Sequence, residues 1–442
     1  MHPIDSSASP PSPSLTDAFW YWLKLGCISF GGPTGQIALM HAELVDKRRW
    51  ISERRFLHAL NYCMLLPGPE ATQLAIYIGW LMHRIPGGIL AGTLFVLPSL
   101  LLLIALSWMY VAFNNVPMVV GVMYGIKPAV VAIVLCAAWR IGSHTLQNQW
   151  RIGIAAAAFL AITLLHVPFP IIVLSAACLG CIGAYITPDI LKMKEGHAAV
   201  SASNAAFIID DHTPTPDHAR YSLRKLIVIS VAGICLGLAP CLVLTMHYGA
   251  SSTFPQMSTF FTKAAFLTFG GAYAVLPYVY QGAVEHYHWL TPSKMMDGLA
   301  LGETTPGPLI MIVTFVGFVG GWTKMATLTA GIMGACVATY FTFLPSFIFI
   351  LAGGPMVEST RDNLRLTFQL TTISAAVVGV ILSLVVFFAK HIFNLTAPIS
   401  QWDWIAIAAT AAACVALFKF KLQPMKLILI SAVIGLVVSY LR

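Results

Sequence analysis

Two Pro-Gly-Pro triplets and two Phe-Gly-Gly triplets are the residues of this chain best placed to do chemistry. They are Pro67-Gly68-Pro69, Pro306-Gly307-Pro308, Phe30-Gly31-Gly32 and Phe269-Gly270-Gly271. Proline lacks a backbone N–H and glycine loosens the chain, so each triplet should break a helix. Pro33 and Pro69 then suit the first turn of a new one. A helix start presents unpaired N–H groups and about half a positive charge. Four starts converging would offer about +2, which balances a divalent oxyanion. Ser29 and Thr268 precede the Phe-Gly-Gly turns, Thr72 and Gln73 follow the first Pro-Gly-Pro, and Thr304 and Thr305 precede the second. Such side chains hydrogen-bond an oxyanion without a fixed charge. With Gly31, Gly32, Gly68, Gly270, Gly271 and Gly307 they form the expected substrate-binding set.

Lys24 and Lys263 join that substrate-binding set, and Glu70 and Glu303 are the proton-coupling candidates. Lys24 and Lys263 lie inside apolar runs. A lysine at a helix centre in the bilayer costs about 2.5–3.5 kcal/mol, so both should face protein, water or substrate. Snorkelling to the interface is the alternative for Lys24. Glu70 and Glu303 stand next to the Pro-Gly-Pro turns. A buried carboxyl that titrates can carry a coupled proton, whereas a carboxylate at a helix start can simply cap it. For Glu70 both readings stay open.

Other chemistry finds little support. No cluster of His, Asp and Glu within the apolar runs offers a nucleophile–base pair or metal ligands. No G-x-G-x-x-G follows a strand pattern. Catalytic residues, metal and cofactor are therefore all expected to be none. The nine cysteines lie in apolar stretches, which argues against a disulfide framework. His41, His58 and His83 read as interface histidines. Trp20, Tyr21, Trp22, Trp50 and Trp289 read as an interfacial aromatic belt.

The elements that position these residues must be membrane helices. Of 442 residues, 58% are hydrophobic and 10% charged, against roughly 25% charged in a soluble domain. Runs such as Ile89–Leu106 show no strand alternation, which rules out a β-barrel. The net charge of +8 reflects basic loops that set orientation rather than a nucleic-acid surface. The fold class is an all-α polytopic membrane protein with about thirteen apolar segments.

The chain repeats. Residues 30–69 align without a gap on 269–308 at an offset of 239, and the identities concentrate at the glycines, prolines and Trp50/Trp289. Leu97-Pro98-Ser99 returns as Leu344-Pro345-Ser346 after a short insertion. Positions 41–55 carry Lys47, Arg48, Arg49, Arg54 and Arg55, while the equivalent 281–295 carries only Lys294. Basic loops stay inside, so the two halves should be inverted. The expected organisation is a disordered cytoplasmic tail at 1–16, a first repeat at 17–187, a cytoplasmic linker at 188–224, a connecting helix at 225–248 and an inverted repeat at 256–442. Phe56–Leu66 spans roughly 16 Å of helix, half the ~30 Å hydrocarbon core. The broken segments are therefore expected to be re-entrant hairpins, with the N-terminus cytoplasmic and the C-terminus periplasmic.

At these motifs the sequence resembles the chromate ion transporter family, of the long two-domain type. The match is carried by FGGP at 30–33, KRRWISERRF at 47–56, NYCMLLPGPEATQLAIYIGW at 61–80, TFGGAYAVLPY at 268–278 and LGETTPGPLIMIVTFVGF at 301–318. Met64 and Glu70 depart from many members, which have Gln before the first Pro-Gly-Pro and no Glu after it. The resemblance implies export of chromate from the cytoplasm driven by the proton-motive force, chromate resistance, sulfate as competitor, and a bacterial inner membrane. A sulfate transporter or a passive anion channel are the alternatives, and an intramembrane enzyme is the least favoured. The lipid bilayer is the surrounding partner, no nucleic acid is expected, and a homodimer is compatible with the sequence.

Overall fold

The computed structural model describes residues 13–30, 32–113, 116–186, 207–210, 213, 216–269, 271–359, 367–395 and 397–441. Gly31, Gly270, the tail before residue 13 and most of the 188–224 linker lie outside them. The first half holds α1 (Leu15–Ile28), α2 (Gly32–His41), α3 (Glu53–Leu65), α4 (Glu70–Ala112), α5 (Pro117–Thr145), α6 (Gln149–Leu164) and α7 (Phe169–Ile186). The connecting helix is α8 (Leu223–Tyr248). The second half holds α9 (Thr253–Phe266), α10 (Ala272–Tyr280), α11 (Pro292–Thr304), α12 (Ile312–Met325), α13 (Leu328–Ser359), α14 (Thr367–Ile392), α15 (Trp404–Phe418) and α16 (Pro424–Leu441). Among the described residues there is no β-strand, only an isolated bridge between Ile51 and Ile209. Among the described residues five helices are long and apolar enough to cross a membrane, and the chain is a multi-pass membrane protein.

The repeat holds down to single hydrogen bonds. A π-helical turn runs over Ala42–Lys47 in one half and Gln281–His286 in the other. Each is followed by a residue with positive φ, Arg49 and His288. The Trp50 N–H then donates to Leu44 O and the Trp289 N–H to Ala283 O, both at 2.8 Å. Ser52 caps α3 by accepting from the Arg55 N–H, and Thr291 caps α11 by accepting from the Lys294 N–H. This turn folds the aromatic residues inward. Trp22, Trp50, Trp289 and Tyr21 are buried and only Trp20 is well exposed, so the expected interfacial belt is instead core. Arg48 lies 5.0 Å from the ring centre of Tyr21 and 5.2 Å from that of Trp50.

The helices divide at every triplet, as their glycines and prolines lead one to expect. α1 gives way to α2, α3 to α4, α9 to α10, and α11 to α12 through a 3-10 turn at Leu309–Met311. α4 itself turns back at His83 and Arg84, the latter at φ +58. The two limbs close to backbone contact, since a Cβ on Gly79 would meet Gly87 O at 2.5 Å. α12 and α13 form the matching hairpin about Ala326 (φ +52), with a Cβ on Gly317 meeting Gly334 O at 2.2 Å.

Contacts at the two ends of the bundle fix the topology. At one end, His83 Nε2 donates to Pro13 O at 2.8 Å, and the Ser52 N–H donates to Ile209 O at 2.9 Å. There too the buried Arg55 guanidinium pairs with Glu358 at 2.9 Å. The start of α1, the 41–55 loop, the α4 turn, part of the linker and the end of α13 thus share one end. At the other, the Phe169 N–H donates to Gln281 Oε1 (3.1 Å) and Tyr110 OH to Asp297 (2.8 Å). Lys127 donates there to Ser293 (2.6 Å), and Tyr124 to Asp403 (2.7 Å). α1 with α2, and α3 with the first limb of α4, therefore leave from and return to the same end. Their copies in the second half do so at the opposite end, which makes the halves inverted.

The tail and the linker each hold ordered structure. α1 begins at Leu15, because Ser14 forms a capping box with Asp17, so the last two residues read as tail are helical. Residues 207–210 of the linker are not a free connection, since their backbone pairs with 49–52. α5 packs chiefly on α15 and α16 of the other half, and α14 chiefly on α6 and α7. α8 lies on the periphery, with almost none of its apolar span buried.

Candidate functional site

Gly68 and Gly307 take φ values of +130 and +98, open to glycine and strained for other residues. Each turn then points its N–H across to the other half. The Gly68 N–H donates to Thr268 O and the Gly307 N–H donates to Ser29 O, both at 2.7 Å. Because 68 answers 307 and 29 answers 268, the two bonds are one bond repeated about a two-fold axis. Each Pro-Gly-Pro break is thereby locked to the Phe-Gly-Gly break of the opposite repeat.

The expected residues distribute unevenly about this crossing. Ser29, Thr72, Gln73, Thr268, Thr305, Gly68 and Gly307 are all buried there. Gln73 Nε2 donates to Pro67 O at 2.7 Å and, more weakly, to Ser346 Oγ at 3.4 Å. Thr268, Thr304 and Thr305 spend their hydroxyl protons on their own helices, donating to Ala264 O, Leu301 O and Gly302 O. The Ser29 and Thr72 hydroxyls have no partner within the described protein, although buried. Gly32 and Gly271 have positive φ, and a Cβ on either would meet no atom within 4 Å, so they serve backbone shape rather than close packing. Gly31 and Gly270 lie outside the described residues.

The charged residues differ in their surroundings. Lys24 and Lys263 occupy equivalent places on α1 and α9, both exposed. Neighbouring Leu25 and Gly26, like Ala264 and Ala265, turn inward instead. No contact places either ammonium at the crossing. Glu70 opens α4 beside Gly68, and Glu303 accepts a hydrogen bond from Tyr273 OH in the last turn of α11. The two carboxylates are not mates under the 239 offset, which pairs Glu70 with Leu309 and Glu303 with Met64.

Three residues not in the expected set complete the crossing. Gln36 Nε2 donates to Gly307 O and, at 3.4 Å, to Ser29 O. Ser99 lies against Gly307 and Ser346 against Gly68, each within reach of a Cβ that the glycine lacks. The repeated Leu-Pro-Ser triplet was their signal in the sequence, but the pairing is across halves and no local spacing announces it. Gln36 has Val275 as its mate, so symmetry could not flag it. Buried polar side chains normally find partners. Ser29 Oγ, Thr72 Oγ1, Ser99 Oγ, Gln36 Oε1 and Gln73 Oε1 do not find one within the described protein.

Inverted halves with broken helices crossed at a buried polar point define the architecture of a membrane transporter. The sequence profile of the Chromate transporter family matches residues 16–181 and 255–436, one region for each half and neither including α8. A chromate transport protein of Pseudomonas aeruginosa is 33% identical over 438 residues, covering 97% of this chain and 94% of the relative. One from Cupriavidus metallidurans is 30% identical over 430 residues with the same coverage. A probable chromate transport protein of Synechococcus elongatus is 28% identical over 89% of this chain and 91% of the relative. No solved structure matches the chain. The protein belongs to the chromate transporter family.

Proposed function

We propose that the chain exports chromate from the cytoplasm by alternating access around the crossed breaks, coupled to the proton-motive force. The observation that carries this is the reciprocal pair of hydrogen bonds, Gly68 to Thr268 and Gly307 to Ser29. It joins two inverted repeats at one polar, buried point. Irregular backbone at membrane depth is tolerated where it is buried or lines a cavity, and a site shared by both repeats can be offered to either face as they rock. Four hydroxyls there, those of Ser29, Thr72, Ser99 and Ser346, donate to no atom of the described protein; neutral donors of this kind fit a tetrahedral dianion, and sulfate is then the natural competitor.

In this reading the end that gathers the 41–55 loop is cytoplasmic, since Lys47, Arg48, Arg49, Arg54 and Arg55 lie there. The N-terminus is cytoplasmic and the C-terminus periplasmic, in the inner membrane of a bacterium. Lys24 and Lys263 attract the anion to the two approaches rather than holding it. Glu70 and Glu303 carry the coupled proton, with Tyr273 orienting Glu303.

Everted vesicles containing the full chain, energised at the membrane, should accumulate labelled chromate. A protonophore should abolish this, and excess sulfate should compete. Accumulation down the chromate gradient alone, indifferent to the protonophore, would identify a passive anion channel instead. Export of this kind would also confer chromate resistance on a sensitive host.

A further inference from the structure

Ser99 and Ser346 occupy mid-helix positions in α4 and α13, each directly after a proline. A buried helical hydroxyl ordinarily donates to a carbonyl three or four residues back. Its neighbours in α13 do so: Thr339 donates to Ala335 O at 2.8 Å and Thr342 to Ala338 O at 2.7 Å. Ser99 and Ser346 do not. Ser99 Oγ is buried with no partner within the described protein. Ser346 Oγ is reached only by Gln73 Nε2 at 3.4 Å, a bond in which it accepts and keeps its own proton free.

Both instead face the glycine of the opposite Pro-Gly-Pro turn. A Cβ built on Gly68 would fall 2.5 Å from Ser346 Oγ, and one on Gly307 would fall 3.1 Å from Ser99 Oγ. Each serine is thus carried by one half and presented to the broken helix of the other. Each Pro-Gly-Pro glycine thus faces the serine of the opposite half's Leu-Pro-Ser triplet, so the placement belongs to the architecture, although only Ser346 also accepts from a glutamine.

We infer that Ser99 and Ser346 are specificity-determining ligands of the transported oxyanion, each donating one hydroxyl proton to it from opposite repeats. This rests on the reading that the anion passes the crossed breaks. A tetrahedral dianion has acceptor oxygens on every side and no donors. It is matched by hydroxyls arriving from both repeats together with those of Ser29 and Thr72. A ligand held equally by both halves is also one that both halves must release, which suits a transported substrate better than a trapped one. Leaving a buried hydroxyl proton without an acceptor is a stability cost, and both serines leave theirs so within the described protein, which points to use.

Ser99→Ala and Ser346→Ala, in the full chain, remove a hydroxyl without adding bulk. Each should raise the KM for chromate in everted vesicles roughly ten-fold, the scale of one lost hydrogen bond to an ion. Sulfate competition should weaken alongside. Purified in detergent, each variant should unfold at the same or a higher temperature than the parent, and added chromate should protect it less. A fall in unfolding temperature without chromate would make the serines packing residues and overturn the inference. So would an unchanged KM in both variants. Thr72→Ala distinguishes a wrong ligand from a wrong site. If it raises the KM while the serine variants do not, the crossing remains the site and the serines are not its ligands. If none of the three changes the KM, the crossing itself is not the site.

Discussion

Arg55 offers the sharpest test of how the two halves are held together. Five cations stand in the 41–55 stretch, yet only Arg55 is buried, with its side chain 6% exposed and that of Glu358 3% exposed. Its Nη1 donates to Glu358 Oε2 at 2.9 Å, and its Nε and Nη2 donate to the Asp210 and Thr213 carbonyls. Tyr77 OH donates to the other Glu358 oxygen. The pair ties α3 of the first half to α13 of the second. Removing one partner of a buried ion pair strands the other charge and costs roughly 3–5 kcal/mol. Removing an exposed cation such as Arg54 changes stability by about 0.5 kcal/mol or less. Arg55→Ala and Glu358→Ala should therefore each destabilise the detergent-solubilised protein by several kcal/mol, and the double variant by far less than their sum. A denaturant titration of the four-member cycle measures the coupling, with Arg54→Ala as the control. Arg55→Lys should keep part of the ion pair but lose the fork that grips two carbonyls, so the linker should become more sensitive to protease. If Arg55→Ala and Arg54→Ala are equally mild, or the cycle shows no coupling, the latch between the halves is wrong.

Gly68→Ala and Gly307→Ala should each lower stability by about 2–4 kcal/mol, from positive-φ strain and overlap with Ser346 and Ser99, and should abolish vesicle uptake; normal uptake by either would argue against a locked crossing. Lys24→Ala and Lys263→Ala should slow chromate uptake a few-fold at low ionic strength, and the difference should vanish at high salt where exposed charges are screened; a loss independent of salt would place the ammonium in the site itself. Burial holds the His218 imidazole below its ordinary pKa of 6.5, and its ring nitrogen bonds Trp80 O at 3.1 Å. The docked form thus binds fewer protons than the undocked one, so docking is strongest above pH 6.5 and weakens as pH falls below it; limited proteolysis of the linker should accelerate there, and His218→Gln should remove the dependence.

The backbone of the site could be anticipated because glycine and proline act locally. The triplets break helices wherever they stand, and their recurrence at one fixed offset revealed the duplication and, through Lys47 to Arg55, its inversion. Side-chain partners were harder, because they join residues far apart. Gln36 reaches Gly307, Ser346 reaches Gly68, and Arg55 reaches Glu358 across some three hundred positions. Lys24 and Lys263 are expected at the site from the cost of a charge in lipid; both are exposed, beside residues that turn inward. Trp50 and Trp289 looked interfacial by composition, and the π-helical turn that folds them inward has no simple signature.

The exchange of helices between repeats has a consequence for assembly. α5 lies against α15 and α16, while α14 lies against α6 and α7, so neither repeat covers its own greasy flank. Severing the chain within 188–206 would yield two fragments that are each half of a handshake. Produced separately, each should be degraded; co-produced, they should find one another and restore uptake. An ancestor with a single repeat could have made the same embrace only by inserting copies of itself in both directions.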